Sequence, residues 1–344
     1  MSISQPTPDR GDDSPKKIVV LGANAFSGQD FIDLLLDDAR YEVIGVSRSP
    51  QLPAFRLKYA GRADLSCYRF MQLDMNRDRE ALLAMLDAEK PAYIVNFAAQ
   101  SEVAPSWKNP EDWFATNCVA LAGLVNHLRS QTYLERYLHI SSPEVYGTCR
   151  GVVMEDARMN PSTPYAVSKA AADMLLDVYQ RQYGFPLVSV RATNVYGARQ
   201  QLFKIIPRSA IYLKLGNTIE LHGGGKAVKS YIHIRDVSQG EKAILERGTI
   251  GQMYHLSPDE GVAVREVVAS ICRLTGKEFN DVVKTVDERP GQDAAYVIDS
   301  TKARTELDWR PRVSLEEGLR EVVEWVEKEW PAIQEQSLDY QHRP

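Results

Sequence analysis

This chain predicts an α/β fold: a doubly wound parallel sheet with a smaller, mainly helical C-terminal lobe. Three observations carry that expectation. Short apolar, β-branched runs alternate with segments whose apolar residues recur near every 3.6 positions. The runs are continuously apolar rather than alternating, so both faces of the sheet must be covered, as in parallel sheets flanked by helices. And 344 residues, 44% of them apolar, suffice for one large domain with a smaller companion.

In chain order the runs are "KIVVLG" (17–22), "YEVIGV" (41–46), "YRFMQL" (68–73), "AYIVNF" (92–97), "YLHIS" (137–141) and "PLVSVR" (186–191). Helical patterns such as "EALLAMLDAE" and "AADMLLDVYQRQYG" lie between them. After Arg191 the rhythm breaks. Pro207, Gly216, Gly223, Gly224 and Gly225 punctuate shorter elements, and the last third is mostly helix-patterned.

Bulk chemistry narrows the function. A formal net charge of -5 offers no basic surface, so nucleic acid is not expected as a partner. Four widely spaced cysteines and six histidines without an HExxH pattern argue against a disulfide framework or a metal site. The polar N-terminus "MSISQPTPDRGDDSPKK" lacks the apolar core of a signal peptide, and no run of about 18 apolar residues occurs. A cytoplasmic protein with no membrane partner and a disordered leader over 1–15 is expected.

The stretch "VVLGANAFSGQD" follows the first strand and opens a helix. Gly22 can turn the chain tightly, Gly28 lets helix and strand pack closely, and first-turn amides then face a pyrophosphate. That is a Rossmann-type dinucleotide turn, although Ala25 stands at the middle glycine position and an ordinary strand–helix turn stays open. The second strand ends in "VSRSP", with Ser47, Arg48 and Ser49 where an NAD site usually carries an acid. A guanidinium flanked by hydroxyls suits a 2′-phosphate, which favours NADP over NAD unless Arg48 is simply a solvated loop residue.

"PYAVSK" sets Tyr165 and Lys169 four residues apart on one helix face. An ammonium beside a phenol favours phenolate and so a general base. Upstream, "SSPEVYG" (141–147) ends the fifth strand with Pro143 and Glu144. Glu144 can act on a substrate or can merely cap a turn.

Together, "LGANAFSG", "NFAAQSEV", "TNCVA", "SSPEVYG", "PYAVSK", "TNVYGARQ", "KIIPR", "KSYIHIRDV" and "ERPGQDAAYVIDSTKARTELDWRPRVSLEEGL" resemble the extended short-chain dehydrogenase/reductase family. Within it the match is to the nucleotide-sugar 4,6-dehydratases, of the dTDP-glucose and GDP-mannose types, from about residue 16 to 330. The resemblance implies a Rossmann domain over 16–192 plus about 229–256, and a nucleotide-sugar lobe from 193–228 and 257–335. It implies catalysis by Ser142, Glu144, Tyr165 and Lys169. Cofactor contacts fall on Gly22, Ala25, Phe26, Ser27, Gly28, Ser47, Arg48, Asp74, Met75, Phe97, Ala98, Ala99, Asn117, Tyr165 and Lys169. Substrate contacts fall on Ser101, Asn194, Lys204, Lys229 and Arg289.

The activity so implied is dehydration of a nucleotide-linked hexose to its 4-keto-6-deoxy form: oxidation at C4, proton loss at C5, departure of water and return of hydride. In dTDP-glucose enzymes an Asp precedes the Glu as acid, and Pro143 takes its place here. The GDP-mannose type also lacks that Asp. The alternatives are a nucleotide-sugar 4-epimerase, a UDP-glucuronate-type decarboxylase, or a non-enzymatic NAD(P)-binding regulator. The family also implies a homodimer built on the apolar helices around 111–130 and 164–183.

Overall fold

The computed structural model describes residues 14–149, 151–287 and 297–343. Seven parallel strands form the central sheet: β1 Lys16–Leu21, β2 Tyr41–Ser47, β3 Tyr68–Gln72, β4 Tyr93–Asn96, β5 Arg136–Ile140, β6 Leu187–Ala192 and β7 Met253–Leu256, in the order β3-β2-β1-β4-β5-β6-β7. The six apolar runs read from the sequence are the first six strands. The seventh, "MYHL", is too short and too polar to stand out, yet it adds to the edge with Met253 beside Ser189 and Leu256 beside Ala192.

Both faces are covered, as continuous apolar strands require. Helices Phe26–Leu35 and Ile234–Arg247 bury Phe31, Ile32, Leu35, Val237, Ile244 and Leu245 on one face. Helices Arg79–Glu89, Leu121–Leu128 and Pro164–Tyr183 bury Leu82, Leu86, Leu124, Val125 and Leu176 on the other. The register aligns Leu21 with Val46 and with Asn96, so the carboxyl ends of β2, β1 and β4 stand side by side. Strand order reverses there, and in open α/β sheets that crevice takes the ligand.

The second lobe has its own core. Helices Ile205–Leu215, Val264–Leu274 and Leu315–Lys328 pack Ile206, Ile211, Val267, Ile271, Leu319 and Val326 together. Short strand pairs, Asn194–Tyr196 with Tyr231–His233 and Ile219–His222 with Val283–Val286, lie alongside. Among the described residues no helix is long and apolar enough to cross a membrane, and no His, Cys, Asp and Glu cluster could hold a metal ion.

Candidate active site

The predicted turn residues Gly22, Ala25, Phe26, Ser27 and Gly28 meet Phe97 and Ala98 at the reversal point. Gly22 takes a left-handed φ of 84°, and a Cβ there would meet the Ala98 backbone nitrogen at 2.6 Å. Gly28 is equally tight, since a Cβ would lie 2.4 Å from the Gly22 carbonyl oxygen. The turn is thus pressed against Phe97 and Ala98, and only glycine fits at either position. Helix Phe26–Leu35 starts at Ala25 with no side chain capping it. Helix N-termini need acceptors for their first amides, and a pyrophosphate supplies them. The turn fits a dinucleotide on that ground.

Around it, Asn24 Nδ2 donates to Ser49 Oγ at 3.0 Å and to the Pro50 carbonyl at 2.8 Å, tying the loop after β2 to the turn. Gln72 Nε2 donates to the Arg48 carbonyl at 3.2 Å, which leaves the Ser47–Arg48 corner between two anchors. Asp74 Oδ1 accepts from the Asn76 amide at 2.7 Å, and Met75 is buried beside it. Asn117 lies in a wide π-turn, Ala115–Ala120, inside a longer helix. Its Oδ1 accepts from the Gln100 amide at 2.9 Å, while Nδ2 donates to the Gln100 carbonyl and to Ser168 Oγ. Asn117 is therefore a clamp between the β4 exit and the Tyr–Lys helix, and its amide is spent on protein.

The β5 exit carries the reacting groups. Ser142 opens a short 3-10 turn, Pro143–Tyr146, with its Oγ accepting from the Glu144 amide at 3.3 Å. Pro143 sits at the first turn position, where its missing N–H costs nothing and its fixed φ sets the turn. Of residues 141–147, Glu144 alone is partly exposed; its six neighbours are buried. Helix Pro164–Tyr183 brings Tyr165 opposite, its N-cap Thr163 Oγ1 accepting from the Ala166 amide at 3.1 Å. Burial raises the Tyr165 phenol above its ordinary range, a hydrogen bond with Ser142 opposes this, and the Glu144 and Glu102 charges add to the rise.

Lys169, expected to serve the Tyr165 phenol and the cofactor ribose, is anchored at the β5 exit. Its Nζ donates to the Ile140 carbonyl at 2.7 Å, and burial pushes its pKa down to about 8 against the pull of Asp173. The ammonium is held on the β5 end.

Beneath these groups lies a buried polar network that the sequence reading missed. Asp173 Oδ2 accepts from Arg191 Nη2 at 2.7 Å and from Ser141 Oγ at 2.6 Å. Arg191 also donates to the Tyr146 hydroxyl, which lies 2.8 Å from His255 Nε2. His139 Nε2 is 3.2 Å from Asp173 Oδ1, with neither atom in a well-directed hydrogen bond. The signal was present: a His inside "YLHIS" and an Arg closing "PLVSVR" are charged interruptions of strands otherwise built for burial.

On the lobe side, Asn194, Lys204 and Lys229 line one cavity of about 820 Å³, with Tyr212, Thr218 and Tyr231. Lys204 Nζ pairs with Glu102 at 2.8 Å, a carboxylate that was not anticipated. Ser101 is exposed beside it, and Arg289 lies outside the described residues.

A family model described as GDP-mannose 4,6 dehydratase matches residues 19–322. The chain belongs to that family. Among relatives of the dehydratase family, a dTDP-glucose 4,6-dehydratase of Streptomyces niveus is 33% identical over 90% of this chain and 92% of its own. A trifunctional UDP-glucose 4,6-dehydratase, epimerase and reductase of Arabidopsis thaliana is 31% identical over 76% of this chain. The chain spans 40% of that larger relative. A dTDP-glucose 4,6-dehydratase of Streptomyces venezuelae, solved with NAD, superposes with a TM-score of 0.82 at 30% identity, covering 92% of this chain and 98% of that one. A UDP-glucuronic acid 4-epimerase of Bacillus cereus, solved with UDP-glucuronic acid and NAD, gives 0.83 at 25% identity, covering 91% and 99%.

Proposed function

We propose that this chain is a nucleotide-sugar 4,6-dehydratase that uses a bound NAD(P). The carrying observation is Glu144, the one partly exposed residue of its turn, whose charge falls on the Tyr165 phenol. An epimerase needs a base at O4 and nothing at C5; a dehydratase needs both. Two groups with separate duties, a phenol and a carboxylate facing one cleft, match the second case.

A bound nicotinamide supplies the oxidation at C4 and the returning reduction at C6. Tyr165, as the phenolate that the Ser142 hydrogen bond favours against burial, takes the proton from the C4 hydroxyl. The resulting ketone acidifies C5–H, and Glu144 removes that proton. Elimination then breaks the C6–O bond and must deliver a proton to O6. Pro143 carries none, so Glu144 itself carries the C5 proton to the departing oxygen; when the hydride returns to C6, C5 takes up a replacement proton drawn from solvent. The cavity lined by Asn194, Lys204 and Lys229 holds the nucleotide diphosphate, which must compete with Glu102 for Lys204.

Relatives bound to NAD support the dinucleotide, while Ser47, Arg48 and Ser49 favour a 2′-phosphate and hence NADP; Arg48→Ala should weaken NADP more than NAD in titration. The chain pairs as a homodimer through Val119, Val167, Met174, Val178 and Tyr183, which stand exposed on the two helices expected to meet. A monomeric mass in light scattering at micromolar concentration would refute that pairing. The cytoplasm suits four cysteines that form no disulfide among the described residues.

The reaction is tested by incubating the enzyme with GDP-, dTDP-, UDP- and CDP-hexoses in D₂O. Loss of water with deuterium at C5 is expected, and Glu144→Gln should stop elimination while nicotinamide reduction persists. A C4 epimer without loss of water, or CO₂ release from a uronic acid, would overturn the reading.

A further inference from the structure

The last helix of the chain ends at Ile333, yet the residues after it do not stray from the fold. Leu338 packs against the lobe core. Tyr340 meets Phe203 edge to face, with ring centroids 5.5 Å apart. The Tyr340 hydroxyl lies 3.2 Å from His342 Nδ1. His342 Nε2 lies 2.6 Å from Asp112 Oδ2, and the imidazole stacks on the fully buried Trp113 at 5.3 Å and 7°. The Arg343 carbonyl accepts from Gln100 Nε2 at 2.6 Å, and Gln100 is itself buried.

These contacts begin on the lobe and end on the sheet domain, so the segment crosses the cleft. Six extended residues reach at most about 20 Å, so the crossing is short and direct. Where it crosses follows from the topology. Gln100 stands just beyond β4 and Arg48 just beyond β2, with the Gly22 turn at the end of β1 between them. Tyr340 is within electrostatic reach of both Arg48 and Glu102. A segment that leaves the lobe at Phe203 and is fixed at Gln100, at the exit of the strand beside β1, runs along the sheet edge next to the pyrophosphate turn. Gln100 is also the residue that Asn117 clamps by both backbone groups, so the anchor is rigid.

We infer that residues 338–343 are a further part of the dinucleotide site, a strap that closes over the cofactor groove and slows release of the bound NAD(P). This rests on the dinucleotide reading above and deepens it. Chemistry gives the strap a use: when hydride leaves C4 and returns to C6 of the same sugar, a cofactor that departs midway strands the intermediate. Nothing in such a cycle requires the cofactor to exchange.

The test reads cofactor retention rather than turnover. The full chain, a chain ending at Gln336, and a Tyr340→Ala/His342→Ala double variant are each loaded with NAD(P) and passed through gel filtration. Bound dinucleotide is then measured in the denatured extract, and release is timed by chasing with a fluorescent etheno analogue. Both variants are expected to release cofactor at least tenfold faster than the full chain and to lose most of it on the column. Release at the full-chain rate from the folded double variant overturns the strap, as does a truncated chain that gains activity with retention unchanged. A full chain that binds no dinucleotide sinks the cofactor reading itself, and the strap with it.

Discussion

Asp173 shows how much a single side chain carries here. Burial alone would push its carboxyl up, but the His139 ring 3.2 Å away, the Arg191 guanidinium and the Ser141 hydroxyl hold it well below the usual carboxylate range. It stays an anion answered by Arg191 and Ser141, with Lys169 nearby. Removing one partner of a buried pair leaves the other uncompensated, at a cost on the order of 3–5 kcal/mol. Asp173→Ala should therefore lower urea stability by about that much, while Ser141→Ala costs about 1 kcal/mol as a lost hydrogen bond. Equal small effects from both would show that Arg191 finds another partner. Because β5 and helix Pro164–Tyr183 hold this network between them, its loss should also loosen Lys169. Glu144 was legible as a residue from its motif; its isolation as the exposed member of a buried turn was not, since exposure depends on what packs above it.

At the scale of elements, the first strand, turn and helix show what local chemistry can specify. "KIVVLG" announces a buried strand, and Gly22 and Gly28 announce a tight turn, because composition and spacing act over a few residues. The structure adds that Gly22 is needed twice, for its φ of 84° and for the 2.6 Å approach to Ala98. A left-handed L-residue costs about 1–2 kcal/mol, and overpacking against fixed backbone adds about 1–3 more. Gly22→Ala should thus lose on the order of 2–5 kcal/mol in denaturant unfolding and emerge from purification with less bound dinucleotide; unchanged stability would mean the β4 exit can yield. Elements made by distant pairing were harder to read. "MYHL" becomes a strand because β6 offers a free edge, and the Phe203–Tyr340 contact joins residues 137 apart in the chain. The π-turn at Asn117 is likewise set by the Gln100 and Ser168 groups it must reach.

For the whole molecule, pH is the variable that tests the buried network as one object. His255 is fully buried, with Nδ1 3.0 Å from the Asp299 carbonyl and Nε2 2.8 Å from the Tyr146 hydroxyl. Those partners suit a neutral ring that donates from Nδ1 and accepts at Nε2. Burial, with Arg191 adding, lowers its pKa to about 3, and burial lowers that of His139 to about 4. Above pH 6.5 both rings are neutral whether folded or unfolded, and neither affects stability. As pH falls through 6.5 the unfolded chain takes protons that the folded chain refuses, so stability is lost from there down to the folded values. For His255 the loss by pH 4 is on the order of 3 kcal/mol. Glu241 and Asp30 work in the opposite sense, since burial raises both carboxyls and acid then costs the fold less. A comparison of variants separates the two contributions. His255→Gln keeps a donor and an acceptor but cannot titrate, so its melting temperature should fall less than the wild type's between pH 6.5 and 4. Parallel curves for the two proteins would show that His255 takes its proton inside the fold, and that the Arg191–Tyr146–His255 chain is looser than its distances suggest.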